Sequence, residues 1–140
     1  MNNINLARVV LGGFVAGVIL NIGEWLLNGV VLANQMQEFF RRCGLTPPGG
    51  SAMIILVLVT FLMGIFLIFV YAAIRPACGP GPKTAIGAGL IGWFCVYFYN
   101  NAVGAALGFV PLNLFATAIA WGLVEYCLAA LAGAWLYKEA

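Results

Sequence analysis

The chain has 140 residues, of which 64% are hydrophobic and 7% charged, with a net charge of +2, no histidine and a mean hydropathy of +1.06. This balance excludes an ordinary soluble domain and offers nothing for nucleic acid, and the length allows one compact membrane domain over 1–140. The absence of histidine removes His-ligated haem or chlorophyll and His proton relays, and the single serine, Ser51, removes a serine-histidine hydrolase.

Taken in chain order, the first apolar run covers 7–31 and exceeds the roughly 20 residues that a helix needs to cross a ~30 Å hydrocarbon core. Gly13, Gly17, Asn21, Glu24 and Asn28 follow one another at intervals of four, four, three and four, so they form a single stripe on that helix. Its lower half is a G-x-x-x-G of the kind that lets helices approach closely in lipid, and its upper half is hydrogen-bonding. The segment Asn34 to Cys43 then carries Met36, Phe39, Phe40 and Cys43 at helical spacing. It is expected to form a short interfacial helix, with Phe39 and Phe40 in the headgroup boundary and Arg41 and Arg42 in water. A frayed extension of the first helix is the alternative.

The turn residues Thr46 to Ser51 lead into a second run, 52–74, which is large and aliphatic or aromatic apart from Thr60 and Gly64. Another turn, Arg75 to Lys83, opens a third run, 84–108, where Ala88, Gly92, Val96, Asn100, Gly104 and Gly108 recur every four residues with Asn101 beside them. Pro111 marks the start of the fourth run, 112–137, whose small and polar line is Ala118, Gly122, Glu125, Ala129 and Gly133. Strand-period alternation is missing, which argues against a β-barrel. The expected fold is therefore all-α: a polytopic membrane four-helix bundle with a short interfacial helix after the first span. Runs one, three and four should pack through Gly13, Gly17, Gly92, Gly104, Gly108 and Gly122, leaving the second towards lipid or a partner.

Arg8, Arg75, Lys83 and Lys138 flank one side of such a bundle and Arg41 and Arg42 the other, so the excess of positive charge places both termini in the cytoplasm. A cleaved secretory signal ending near Val31 and Ala33 is rejected, because the run is too long for an h-region and carries Glu24. Cys43 and Cys78 are expected on opposite faces, Cys95 and Cys127 lie inside spans, and no C-x-x-C occurs. Neither a disulfide framework nor a metal site is indicated.

Glu24 and Glu125 are the candidate functional groups, since an ionisable residue inside an apolar span costs several kcal/mol and is by default bundle-facing and partnered. At ~1.5 Å per residue from the presumed outer ends, Glu24 lies at roughly 10 Å, Asn100 and Asn101 at about 10 to 12 Å, Asn21 near ~15 Å and Glu125 near ~20 Å. The expected polar cluster is thus a column of Asn21, Glu24, Asn28, Asn100, Asn101 and Glu125. Glu24 should reach the asparagines of the third helix, and Glu125 should pair with Asn21, Trp121 or a water. Contacts of this kind fix helix register, each contributing about 0.6 kcal/mol in lipid.

Asn21-Ile22-Gly23-Glu24 is similar to the N-x-x-E core of the membrane-associated eicosanoid and glutathione metabolism family. That pattern expects an arginine four residues before the asparagine, where this chain has Gly17, so a glutathione activity does not carry over. Glu24 occupies a place broadly similar to the essential glutamate of the small multidrug-resistance transporters, although its surroundings differ and Glu125 has no counterpart there. Over most of its length the chain resembles a family of small bacterial membrane proteins known only as a domain of unknown function. The likeness lies in the Gly/Ala-rich first helix running to Trp25, the Cys43-Gly44-Leu45 turn, the opening Lys83-Thr84-Ala85-Ile86-Gly87-Ala88-Gly89 and the ending Leu131-Ala132-Gly133-Ala134-Trp135. That resemblance implies a four-helix protein of the bacterial inner membrane and no particular activity.

No catalytic residue and no cofactor is expected, so the chain reads as no enzyme. The leading expectation is an accessory or scaffold subunit, with the lipid bilayer and other membrane subunits or further copies of itself as partners. The alternatives are an oligomeric proton-coupled transporter or channel using Glu24 and Glu125, and a protein that binds pigment, quinone or lipid.

Overall fold

The computed structural model describes residues 4–138, and among them every regular element is helical. α1 spans Leu6–Leu26, where the Asn5 side chain accepts a hydrogen bond from the Arg8 amide and caps the first turn. It runs on without a break into a π-helical turn, Leu27–Val31, closed by the Leu32 amide donating to the Leu27 carbonyl at 2.7 Å. α2 is Ala33–Arg42, a helix in its own right rather than a frayed end of α1, because Leu32 leaves helical geometry between them. Glu38 holds Arg41 and Arg42 on its surface, at 2.7 and 2.8 Å, and the two guanidinium groups lower the Glu38 carboxyl to about 2.

α3 spans Ser51–Cys78 and outruns its expected end at 74 by a turn, since Pro76 sits in the last turn. Gly79 and Gly81, both at positive φ, reverse the chain, and Pro82 starts α4, Pro82–Trp93, at the position where a missing N–H costs nothing. The buried Thr84 hydroxyl donates to the Gly79 carbonyl at 2.6 Å and ties that turn down. α4 passes through a second π-helical turn, Phe94–Phe98, into α5, Tyr99–Ala106. Gly108 at φ 78 makes the last reversal, and α6 spans Leu112–Leu136.

Three helices are long and apolar enough to cross a membrane: Leu6–Val31, Ser51–Cys78 and Leu112–Leu136. That supports membrane association. The expected third run is helical over most of its length but is not among them, because its glycines, tyrosines and the Asn100-Asn101 pair dilute its apolar content.

The packing corrects the expected arrangement. α1 makes its most extensive contact with α3, the helix expected to face outward, then with α6, while α4 lies between α3 and α6. The cause is a three-glycine contact. Gly64 of α3 seats against the backbone of Gly13 and Gly17, so that a Cβ there would collide with the Gly17 amide and the Gly13 carbonyl oxygen. Gly13 and Gly17 in turn admit Ile65 and Phe61, and Phe14 stacks on Phe61 at 4.8 Å between ring centroids. The large residues of the second run thus surround one small residue that decides its partner. A second close approach joins α1 to α6, where Gly12 and Gly133 meet backbone to backbone. Leu20, Leu67, Ile68 and Val9 are the largest side chains fully enclosed by these contacts.

Gly64→Ala forces α1 and α3 apart, and overpacking of this kind costs about 1 to 3 kcal/mol. Gly87→Ala, on α4 with only the tip of Ile74 at 3.9 Å, gains helix propensity and should be neutral or slightly stabilising. Thermal unfolding followed by circular dichroism in nanodiscs should show a lowered midpoint for the first variant and none for the second.

Candidate functional site

Glu24 and Glu125 meet. The two carboxyl groups, from α1 and α6, are joined by the phenol of Tyr97, which lies in the second π-helical turn. Tyr97 Oη is 2.6 Å from Glu24 Oε1 and 3.4 Å from Glu125 Oε2. Glu24 Oε2 accepts a second hydrogen bond from Asn28 Nδ2 at 2.9 Å, one turn along the same helix. Glu125 is only 5% exposed, and Gly23 makes the room for it: a Cβ at Gly23 would stand 2.5 Å from the Glu125 carboxyl carbon. Gly122 does the same for the ring of Tyr97, which also meets Tyr126 edge to face at 5.6 Å.

A phenol carries one hydrogen, so Tyr97 donates to one carboxyl and accepts from, or stands beside, the other. The shorter contact gives its proton to Glu24. Glu125 Oε1 and Trp121 Nε1 are both buried, and the Trp121 indole N–H stands beside the Glu125 carboxyl as a second donor, the partner expected for it from the sequence. Among the described residues no group of histidine, cysteine and acidic side chains is placed to hold a metal ion.

The π-helical turn explains which residues gather here. With a uniform spacing of four, Gly92, Val96 and Asn100 would share the inward line. The extra residue in the Phe94–Phe98 turn advances that line, so the inward positions become Ala88, Gly92, Tyr97 and Asn101. Asn100 is rotated out: it is exposed, and its Nδ2 returns to the carbonyls of Cys95 and Val96 in its own chain segment. Asn101 faces in and donates from Nδ2 to the Tyr97 carbonyl at 2.8 Å.

Asn21 does not join the cluster either. Its amide bonds the Gly17 carbonyl and, at 3.4 Å, the Val57 carbonyl of α3. The expected axial separation of about 10 Å between Glu24 and Glu125 is also overturned, since a single hydroxyl reaches both. That expectation measured each helix from its own end and took the ends to be level. Gly108 is a turn residue with open space around it, and Gly104 meets only Val110 across the same turn, so neither is a helix-packing glycine. Gly92 does pack, against Leu67 and the Tyr126 ring. Tyr97 is the residue that sequence reasoning missed; a tyrosine amid the apolar Phe94-Cys95-Val96 stretch was its only signal.

The bridge is reached from one side. A groove of about 360 Å³ runs past Glu24, Asn28, Tyr97 and Asn101, with Leu27, Leu32, Met36, Phe39, Val96 and Ala118 among its apolar walls. Met36 and Phe39 thus turn their side chains to the groove, whereas Arg41 and Arg42 stay exposed. The groove adjoins a wider cleft of about 650 Å³ between α2 and the 108–114 link, sharing Phe39, Phe109, Pro111 and Leu114. At the far end of the molecule a separate cavity is lined by Tyr71, Pro82, Leu131 and Trp135 and shares no residue with the groove. The Gly12–Gly133 contact and the Ile68 side chain packed on it belong to the close-packed interior between the α1–α3 and α1–α6 interfaces.

Compared with models of protein families, with curated proteins and with solved structures, the chain matches none.

Tyr97→Phe removes the bridge and leaves Glu125 with the Trp121 indole N–H as its remaining donor. In a double-mutant cycle with Glu24→Gln, the coupling energy should fall between about 0.6 and 1.7 kcal/mol, the range for interhelical hydrogen bonds in lipid. A coupling near zero would mean that hydroxyl and carboxyl do not interact.

Proposed function

We propose that this chain is a small membrane protein that binds the polar end of an amphipathic molecule in the groove beside Glu24, Tyr97 and Asn101. The observation that carries the reading is the form of the groove: apolar walls of leucine, methionine, phenylalanine and valine lead to a polar floor with two carboxyl groups behind it. Ligand sites have this composition, mostly apolar with a few convergent polar groups that orient the occupant. In a bilayer, α4 and α5 with their π-helical turn supply a fourth crossing and complete a four-helix bundle, and α2 lies at the interface over the groove. On this reading the membrane is a bacterial inner membrane, and the excess of lysine and arginine on one side supports both termini on its cytoplasmic face. The reading requires no covalent chemistry.

A second reading, an accessory subunit in a larger assembly, is favoured by α3. From Ser51 to Val59 every residue is exposed, with Ile54, Ile55 and Leu58 each 58 to 63% exposed, so the first third of the helix buries no side chain within the chain. Lipid or another subunit would cover it. An oligomeric proton-coupled transporter using Glu24 and Glu125 draws least support, because the groove and the far cavity are not continuous within one copy.

Ala118→Trp puts bulk into the groove from α6 while keeping every side chain of the carboxyl bridge, and Val124→Trp adds the same bulk on an exposed face of that helix. Native mass spectrometry of protein released from nanodiscs should find one retained amphipath on the unaltered protein and on Val124→Trp, and none on Ala118→Trp. Equal retention by all three would overturn the reading.

A further inference from the structure

Resting on that reading, we infer that the groove selects an amphipath whose head is a primary ammonium group, because the polar atoms left open on its floor are acceptors but for one N–H of Asn101. The hydrogen-bond census around Glu24 supports this atom by atom. Asn28 Nδ2 donates to the Glu24 carboxylate and the Glu24 carbonyl, Asn101 Nδ2 donates to the Tyr97 carbonyl, and the Tyr97 hydroxyl donates to Glu24. Every one of those partners is a carbonyl or carboxylate oxygen, so both asparagine amides are fixed with nitrogen inward.

What remains for an occupant is the opposite chemistry. Asn28 Oδ1 and Asn101 Oδ1 accept from no described residue, both side chains line the groove, and the Glu24 oxygens keep further lone pairs. Glu125 lies behind the bridge, buried beside the Trp121 indole N–H, and does not line the groove. No lysine or arginine lines this groove. The free amides of the first turn of α6, at Leu112 to Leu114, lie at its mouth rather than at its polar floor, next to Pro111, which caps that helix without a side-chain bond.

An occupant that brings N–H or O–H donors meets these acceptors, and the Glu24 carboxyl, with no lysine or arginine lining the groove, favours a positive one. A primary ammonium has three donors on a compact charge, matching Glu24, Asn28 and Asn101 together. A carboxylate or phosphate head would meet the oxygens of Glu24, Asn28 and Asn101 and a single free N–H, that of Asn101 Nδ2. A quaternary ammonium brings charge without a donor and leaves the asparagine oxygens unsatisfied.

The test uses the full chain in nanodiscs and follows saturable binding by displacement of the retained amphipath in native mass spectrometry. The probes are dodecylamine, dodecyltrimethylammonium, 1-dodecanol, dodecanoate and ethanolamine. Dodecylamine should bind at least about tenfold more tightly than dodecyltrimethylammonium or dodecanol, with dodecanoate and the chainless ethanolamine not displacing. Asn101→Leu, which removes one acceptor at the rim of the bridge, should narrow the preference for dodecylamine over dodecyltrimethylammonium without abolishing dodecanol binding. Equal binding of the ammonium and the trimethylammonium, or of dodecanol and dodecylamine, overturns the head-group assignment while leaving amphipath binding in place. Tight binding of dodecanoate overturns it as well, and failure of every probe to displace overturns both readings.

Discussion

A carboxyl group enclosed by apolar helices, as that of Glu125 is, needs hydrogen bonds that water cannot supply, and the Tyr97 hydroxyl is the group that joins it to Glu24 at the edge of the groove. The geometry around it follows from that need. Gly23 is small so that Glu125 can lie against α1, Gly122 is small so that the Tyr97 ring can lie against α6, and the π-helical turn at Phe94–Phe98 swings Tyr97 inward. Each departure from regular packing lies within a turn of the bridge. A π-helical turn strains the backbone and leaves carbonyls without their usual donors, and here Asn100 and Asn101 supply those donors from their side chains.

The remainder of the molecule holds the bridge in place from two directions. The Gly13, Gly17 and Gly64 contact fixes α1 on α3, and the Gly12 and Gly133 contact fixes α1 on α6. Both are backbone approaches, which in lipid are driven by van der Waals packing and lost when a methyl group is inserted. They lie on the far side of the bridge from the groove. The middle of the bundle is thereby close-packed, while the end nearer α2 keeps space between apolar walls. A polar floor that is closed behind and open in front is the feature on which the proposed binding of an amphipath rests.

Much of this was legible in the sequence. The helical class, the turn positions and the importance of Glu24, Asn28 and Glu125 follow from hydropathy, proline and glycine placement and the cost of an acid in an apolar run. The partner of α1 was not legible, because a rule that sorts helices by their number of small residues overlooks a single glycine among large neighbours; Gly64 outweighs the bulk of α3. Tyr97 and the inversion of Asn100 and Asn101 were hidden for another reason. A stripe drawn at intervals of four assumes an unbroken α-helix, and one inserted residue moves every later position by about 100° around the axis. Axial positions failed similarly, since residue counting measures rise along a helix but not the offset between helices.

The most direct test of the account is a distance measurement by solid-state NMR in bilayers, with ¹³C at the Tyr97 phenol carbon and at the carboxyl carbons of Glu24 and Glu125. The account predicts that both carboxyl carbons lie within about 5 Å of the phenol carbon, as hydrogen-bonded and neighbouring groups must. A Glu125 carboxyl found far from Tyr97 while Glu24 remains close would contradict it, and would leave two separate acids where the structure has one bridged pair.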